Sequence, residues 1–266
     1  MSNARGRIAP LPDGGLWFET SGEGEPLVLI HGFALDSTMW DKQFMQFSST
    51  YKVIRYDLRG FGRSSRPVGV YSHVDDLLHL LQHLGIASAS FLGLSLGANV
   101  ALNLALARPD SVKALIAASP GLAGHVWTQE RPPEAALAHA RRHGVEPARD
   151  FWFKHELFAR SRAIPEACAA LRAAVQRYDG WHWENQNPMR PFELTAARLG
   201  HIKTPTLVLS GDRDIQGYRD IAKIVAEGIP GADSSCFQTA GHMLNLDDPQ
   251  RFNTEVVSFL KKQRIA

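Results

Sequence analysis

Residues 84–107 read LGIASASFLGLSLGANVALNLALA, and the reading of this stretch decides the fold. It carries no charged residue and is long enough to cross a bilayer. It also contains Gly85, Gly93 and Gly97 together with Ser88, Ser90, Ser95, Asn99 and Asn103. A buried strand over Ala89–Leu94, a tight turn and a buried helix over Ser95–Ala107 account for the same composition. We adopt that reading, because the turn between them carries a chemical signature.

Working outward, short apolar runs flank the stretch. Leu27–His31 and Lys52–Asp57 precede it and Lys113–Ser119 follows it. The first runs into His31-Gly32 and the others end in Asp57 and Ser119, as buried strands entering loops do. Helical patterns separate them: Ser37–Phe47, capped by Ser37 or Thr38, and a helix capped by Ser72 that runs to Leu84. Strands alternating with helices predict a parallel sheet with helices on both faces. Before it, Arg7–Pro10 and Leu16–Thr20 flank Pro12-Asp13-Gly14-Gly15 as a hairpin.

The alternation stops at about residue 121. From there to 200 no apolar strand stands out, and the segment is helical in character, with Trp127, Trp152, Trp181 and Trp183. The rhythm returns with a strand at Thr206–Leu209, a helix near Arg219–Glu227, a weak strand near Ser234–Phe237 and a helix from Pro249 to Lys262. Residues 121–200 therefore read as a helical insertion between two strands of one sheet, with residues 1–120 and 201–266 forming the core domain.

Composition narrows the function classes. The chain has 266 residues, 29 Lys plus Arg against 27 Asp plus Glu, and a net charge of +2. Hydrophobic residues make up 44%, too many for a disordered chain. Lys and Arg form no long run, which argues against nucleic acid or an anionic membrane as partner. Cys168 and Cys236 cannot staple a domain of this size and read as small buried hydrophobes. The opening MSNARGRIAP lacks the apolar core of a signal peptide, so a cytoplasmic protein is expected.

Gly93-Leu94-Ser95-Leu96-Gly97 fits G-x-S-x-G. A serine on a sharp strand-to-helix turn projects its hydroxyl into a cleft, and glycines two residues to either side let neighbouring elements approach that turn. A nucleophilic serine needs a base, and the base an orienting carboxylate. On such an elbow the chain order is Ser, acid, His. Downstream, Leu207–Ser210 leads into Gly211-Asp212-Arg213-Asp214, and Gly241-His242-Met243 follows. Ser95 is thus the expected nucleophile and His242 the base, with Asp212 and Asp214 both in position for the acid.

Taken together, these segments resemble the α/β-hydrolase superfamily over nearly the whole chain. The matching residues are Leu29-Ile30-His31-Gly32-Phe33, the run from Tyr56 to Ser64, Gly93–Gly97, Gly211–Asp214 and Ala240-Gly241-His242. The resemblance implies an α/β fold with a mostly parallel eight-stranded sheet, helices on both faces, and 121–200 as an inserted helical cap or lid. It implies Asp214 as the acid, with Asp212 second, and an oxyanion hole from the backbone N–H groups of Phe33 and Leu96. His31 would brace the oxyanion loop. Ala98 stands where many relatives have Gly, which a helical backbone tolerates.

Locally, the chain is similar to the enol-lactonase, esterase and cofactor-free haloperoxidase groups. These imply a serine hydrolase that cleaves a small, largely apolar ester or lactone through an acyl-enzyme, with no cofactor and no metal, acting as a monomer or homodimer. Carbon–carbon bond hydrolases of ring-cleavage products are the alternative, disfavoured by Met243 where they carry Trp. Ligand-sensing receptors of the same fold are another. Met243, Trp127, Trp181 and Trp183 are the expected pocket walls, and selectivity is expected from an apolar, aromatic pocket. His79 and His83 have a metal-compatible i, i+4 spacing, but they lie off the apolar stripe and read as a solvated helix face.

Overall fold

In the computed structural model, which describes residues 6–194 and 196–265, the buried apolar runs become the strands of one sheet. They are β1 (Arg7–Leu11), β2 (Gly14–Ser21), β3 (Pro26–Ile30), β4 (Lys52–Tyr56), β5 (Ala89–Leu94), β6 (Val112–Ala118), β7 (Thr206–Gly211) and β8 (Asp233–Phe237). The spatial order is β1-β2-β4-β3-β5-β6-β7-β8. The pairings of β2 with β1 and with β4 are antiparallel, and every later pairing is parallel. Every residue of β5 is buried, as are nearly all of β3 and β6, because helices cover both faces. Helix Asp41–Phe47 packs on helix Pro249–Lys262, and helix His73–His83 on helix Leu96–Ala107.

The charge-free stretch 84–107 is strand β5, a turn, and helix Leu96–Ala107. No helix among the described residues is long and apolar enough to cross a membrane. The two amides of the stretch, Asn99 and Asn103, have specific work. Asn103 donates to the Asn99 carbonyl and side-chain oxygen at 2.9 Å, and its own oxygen accepts the N–H groups of Glu193 and Leu194 at 3.0 and 2.9 Å. Burial is affordable for these amides because each finds a partner.

Between β6 and β7 the chain forms helices Pro132–His143, Val145–Lys154, Ala159–Arg162, Pro165–Arg177 and Trp181–Glu184. Helix His73–His83 begins where Ser72 Oγ accepts the Asp75 N–H at 3.3 Å. The expected single helix over Ser37–Phe47 is instead a 3-10 turn, Ser37–Trp40, followed by an α-helix, Asp41–Phe47. Asp36 is the cap, its Oδ1 accepting the Thr38 N–H at 2.9 Å, while the Ser37 N–H is taken by Asp57 at 2.8 Å. Cys236 is exposed and Cys168 only part-buried, contrary to their reading as core residues. Strand β8 is the sheet edge, so its alternate side chains, Ser234 and Cys236, face outward.

The elbow depends on two missing Cβ atoms. A methyl group at Gly93 would strike the backbone of Gly97 and Ala98, and one at Gly97 would strike the Ile30 carbonyl at the end of β3. Backbone cannot yield as a side chain does, so Gly97→Ala is expected to lose about 3 kcal/mol, the upper end of overpacking costs. Gly69→Ala, where a Cβ meets open space, is expected to stay within about 0.5 kcal/mol. Urea unfolding of the two variants checks this; equal stability would remove the steric account of the motif.

Candidate active site

The carboxyl ends of the parallel strands carry the chemistry-bearing residues. Ser95 follows β5 at φ 56°, ψ −110°, outside the helical region. A non-glycine residue held there stores roughly 1–3 kcal/mol of strain. Three hydrogen bonds hold it: Ser95 N–H donates to the Ala118 carbonyl at 3.0 Å, and its own carbonyl accepts from Asn99 and Gly121 at 3.1 and 3.3 Å.

Asp214 follows β7, and His242 lies in the loop after β8. His242 Nδ1–H donates to Asp214 Oδ2 at 2.8 Å, with both side chains buried. Asp214 Oδ1 also accepts the Ile215 N–H at 2.8 Å, which aims the carboxylate. Asp212 does different work. Its Oδ1 accepts the Thr239 N–H at 2.6 Å and so ties the end of β7 to the loop that carries His242. Asp247 secures the same loop by accepting the Gly241 N–H at 2.7 Å and the Ser161 hydroxyl at 2.6 Å; burial raises its pKa.

The loop after β3 carries His31, Gly32 and Phe33. His31 Nε2 accepts the Leu58 N–H at 2.9 Å, so Nδ1 carries the proton and donates to the Gly32 carbonyl at 2.8 Å. Burial pushes the His31 pKa down and keeps the ring neutral, matching that pattern. Phe33 is clasped by the inserted helices: its ring lies 6.0 Å from Trp152, 6.1 Å from Tyr178 and 5.7 Å from His182. Ion pairs hold these helices to the core. Arg177 binds Asp36 at 2.7 Å and Arg66 binds Asp179 at 2.8 Å. Burial raises the Asp36 pKa, but the Arg177 and Thr38 hydrogen bonds more than reverse it, so its carboxyl titrates below the usual range.

A cavity of about 510 Å³ opens over the elbow, lined by Ser95, Leu96, Phe33 and Trp127 among others. A narrow extension reaches Ser95, His242 and Met243. Thus Ser95, His242, Phe33 and Met243 meet around one small space, with Leu96 and Trp127 in the larger one. Trp181 and Trp183 line neither. The turn Trp181–Glu184 points successive side chains about 100° apart, and His182 is the one it presents to the cavity. Trp183 packs on Tyr178 at 4.8 Å instead. The wall is more mixed than the apolar, aromatic pocket expected from the sequence. His125, Arg131, His182 and Asn187 come to it from the insertion, and His73 and Asn99 from core helices, beside the aromatics.

Beside Ser95 itself, sequence reading also missed Tyr218 and Asn99. The Tyr218 ring packs against His242 with centroids 4.2 Å apart, tilted by 49°, and lines both spaces beside Ser95. Burial raises its pKa, and interaction with Ser95 offsets part of that rise. Its signal was positional: it lies in the first turn of the helix that follows Asp214. Asn99 lies one helical turn after Ser95 and so faces the same way.

The alpha/beta hydrolase family model matches residues 27–255. The 3-oxoadipate enol-lactonase 2 of Acinetobacter baylyi is 28% identical, covering 94% of this chain and 94% of its own. Among solved structures, the N-acyl homoserine lactone degrading enzyme Est816 superposes with TM-score 0.80 at 28% identity, over 95% of this chain and all of its own (100%). A thermophilic esterase from Thermogutta terrifontis does so at 0.79 and 27%, over 98% of this chain and 99% of its own.

The two aspartates make different predictions. A fluorophosphonate probe is expected to label Ser95, and Asp214→Asn to slow that labelling by roughly 10⁴-fold, as loss of the orienting carboxylate does in other triads. Asp212→Asn is expected to slow it less than about tenfold, since the Thr239 contact is structural. Mass spectrometry of the adduct over time measures both; equal losses would leave the acid unassigned.

Proposed function

This chain belongs to the alpha/beta hydrolase family, and we propose that it cleaves a carboxylic ester or lactone through a Ser95–His242–Asp214 triad. Its likeness to enol-lactonase and esterase members supports the reaction class. The observation that carries the residue assignment is convergence: the His242–Asp214 hydrogen bond and the strained Ser95 meet at one narrow space.

His242 accepts the Ser95 proton as Oγ attacks the carbonyl carbon, and Asp214 stabilises the imidazolium that forms. The N–H groups of Phe33 and Leu96 receive the developing oxyanion, where loss of one donor costs about 3–4 kcal/mol. The intermediate collapses, the carbon–oxygen bond to the alcohol breaks, and His242 returns the proton to the leaving oxygen. Water then gives its proton to the same histidine as it attacks the acyl-enzyme. The acid leaves, and Ser95 is regenerated with its hydrogen. In a lactone both products are one molecule.

We extend the proposal to residues 121–200 as the cap over a core of 1–120 and 201–266. The aromatic clasp on Phe33 supports this, since it ties the inserted helices to the loop that donates to the oxyanion. The mixed cavity wall supports a small substrate that presents both apolar and polar groups.

Hydrolysis of p-nitrophenyl butyrate and of simple lactones tests the reading. The wild type is expected to turn over one of these classes, and Ser95→Ala to fall to the uncatalysed rate. Turnover that survives Ser95→Ala would sink the assignment. Tyr218→Phe keeps the ring on His242 and removes the hydroxyl beside Ser95. It is expected to lower kcat by about tenfold, the scale of one hydrogen bond near 1.4 kcal/mol, with KM little changed.

A further inference from the structure

A second cavity, of about 340 Å³, lies behind the wall of the first. The two share His73, Pro191 and Phe192 as lining residues, so these three form the partition between them. On the far side, Val74, Leu106 and Ala107 offer apolar surface, and the cavity ends at the exposed Arg190–Asp75 ion pair.

The partition has fixed and adjustable parts. His73 is buried at the start of its helix and set edge-to-face on Tyr71 at 5.1 Å. The backbone on either side of Phe192 is pinned: the Arg190 N–H donates to the Tyr71 carbonyl at 2.8 Å, and the Glu193 and Leu194 N–H groups to Asn103. The Phe192 ring is only part-buried against the core. None of the hydrogen bonds just named involves its side chain, so the ring can be changed while the segment keeps its place.

The direction of the substrate follows from proton transfer. His242 lines the narrow space and not the main cavity. The leaving oxygen must sit beside His242 to be protonated, which turns the substituent on the acyl carbon away from His242 and into the main cavity, toward Phe192; the narrow space, about 10 Å³, has no room for the alcohol, which leaves through the same main cavity. We infer that Phe192 is the stop that limits acyl length, and that the groove behind it, bordered by the exposed Arg190 and Glu193, is an extension of the acyl subsite that the ring shuts off. This rests on the ester-hydrolase reading and names the residue that sets its specificity.

The test compares p-nitrophenyl butyrate with p-nitrophenyl decanoate for wild type, Phe192→Ala and Phe192→Trp, with thermal unfolding as a check on folding. One methylene in an apolar pocket is worth roughly tenfold or more in kcat/KM. The decanoate-to-butyrate ratio is therefore expected to rise at least about tenfold in Phe192→Ala and to fall in Phe192→Trp. An unchanged ratio in Phe192→Ala, or a shift in the same direction in both variants, overturns the inference. A parallel series of alkyl acetates varies the alcohol; a response there in place of the acyl series overturns the assignment to the acyl side. Calorimetry of decanoate binding to Ser95→Ala, with and without Phe192→Ala, separates this inference from the ester reading. If no ester is turned over, that reading fails, while tighter binding in the double variant still supports the partition and equal binding overturns it.

Discussion

Everything at the site depends on a backbone constraint: a serine held at φ 56° between two glycines that tolerate no side chain. The strand before it is central in a parallel sheet, the helix after it is buried, and β3 presses its carbonyl against Gly97. The strain at Ser95 is held by the sheet and not by local propensity. Its N–H goes to the end of β6, and its carbonyl receives two donors. That arrangement lifts the hydroxyl out of the sheet edge toward the loops that follow β3, β7 and β8.

The second dependence is the way these loops are locked. Each of the histidine-bearing loops has its own brace: the His31 ring for the loop after β3, and Asp212 with Asp247 for the loop holding His242. The inserted helices close the set by packing Trp152, Tyr178 and His182 against Phe33. The Phe33 loop and the inserted helices are thus mechanically coupled. On the proposed reading, in which the Phe33 N–H receives the oxyanion, substitutions in the insertion alter transition-state stabilisation as well as binding, since preorganised donors act only where they are held.

Much of the core was legible in the sequence, because its strands are continuous apolar runs and its motifs obey local rules. The run ALIAAS after Lys113 could hardly be anything but a buried strand, and the final helix begins at Pro249 and ends at Lys262 as its pattern predicts. Capping at Ser37 was less legible, since the choice among Asp36, Ser37 and Thr38 turned on Asp57, twenty residues away in sequence, claiming the Ser37 N–H. The pocket was least legible. Trp181 and Trp183 carry the same composition signal as Trp127 and Trp152, but helix phase and neighbour packing sort them, and His182 lies between two tryptophans that face elsewhere.

The sequence by itself determined the sheet, the elbow and the order of serine, acid and histidine, with Asp212 and Asp214 both open for the acid, because hydrophobic periodicity and glycine placement are local properties written into the chain. Only the tertiary structure decided that Asp214 meets His242 while Asp212 meets Thr239, that Tyr218 lies on the imidazole, and that Phe192 divides two cavities. Those outcomes depend on which surfaces meet when distant segments pack, and side-chain direction at such meetings is set by the packing partner.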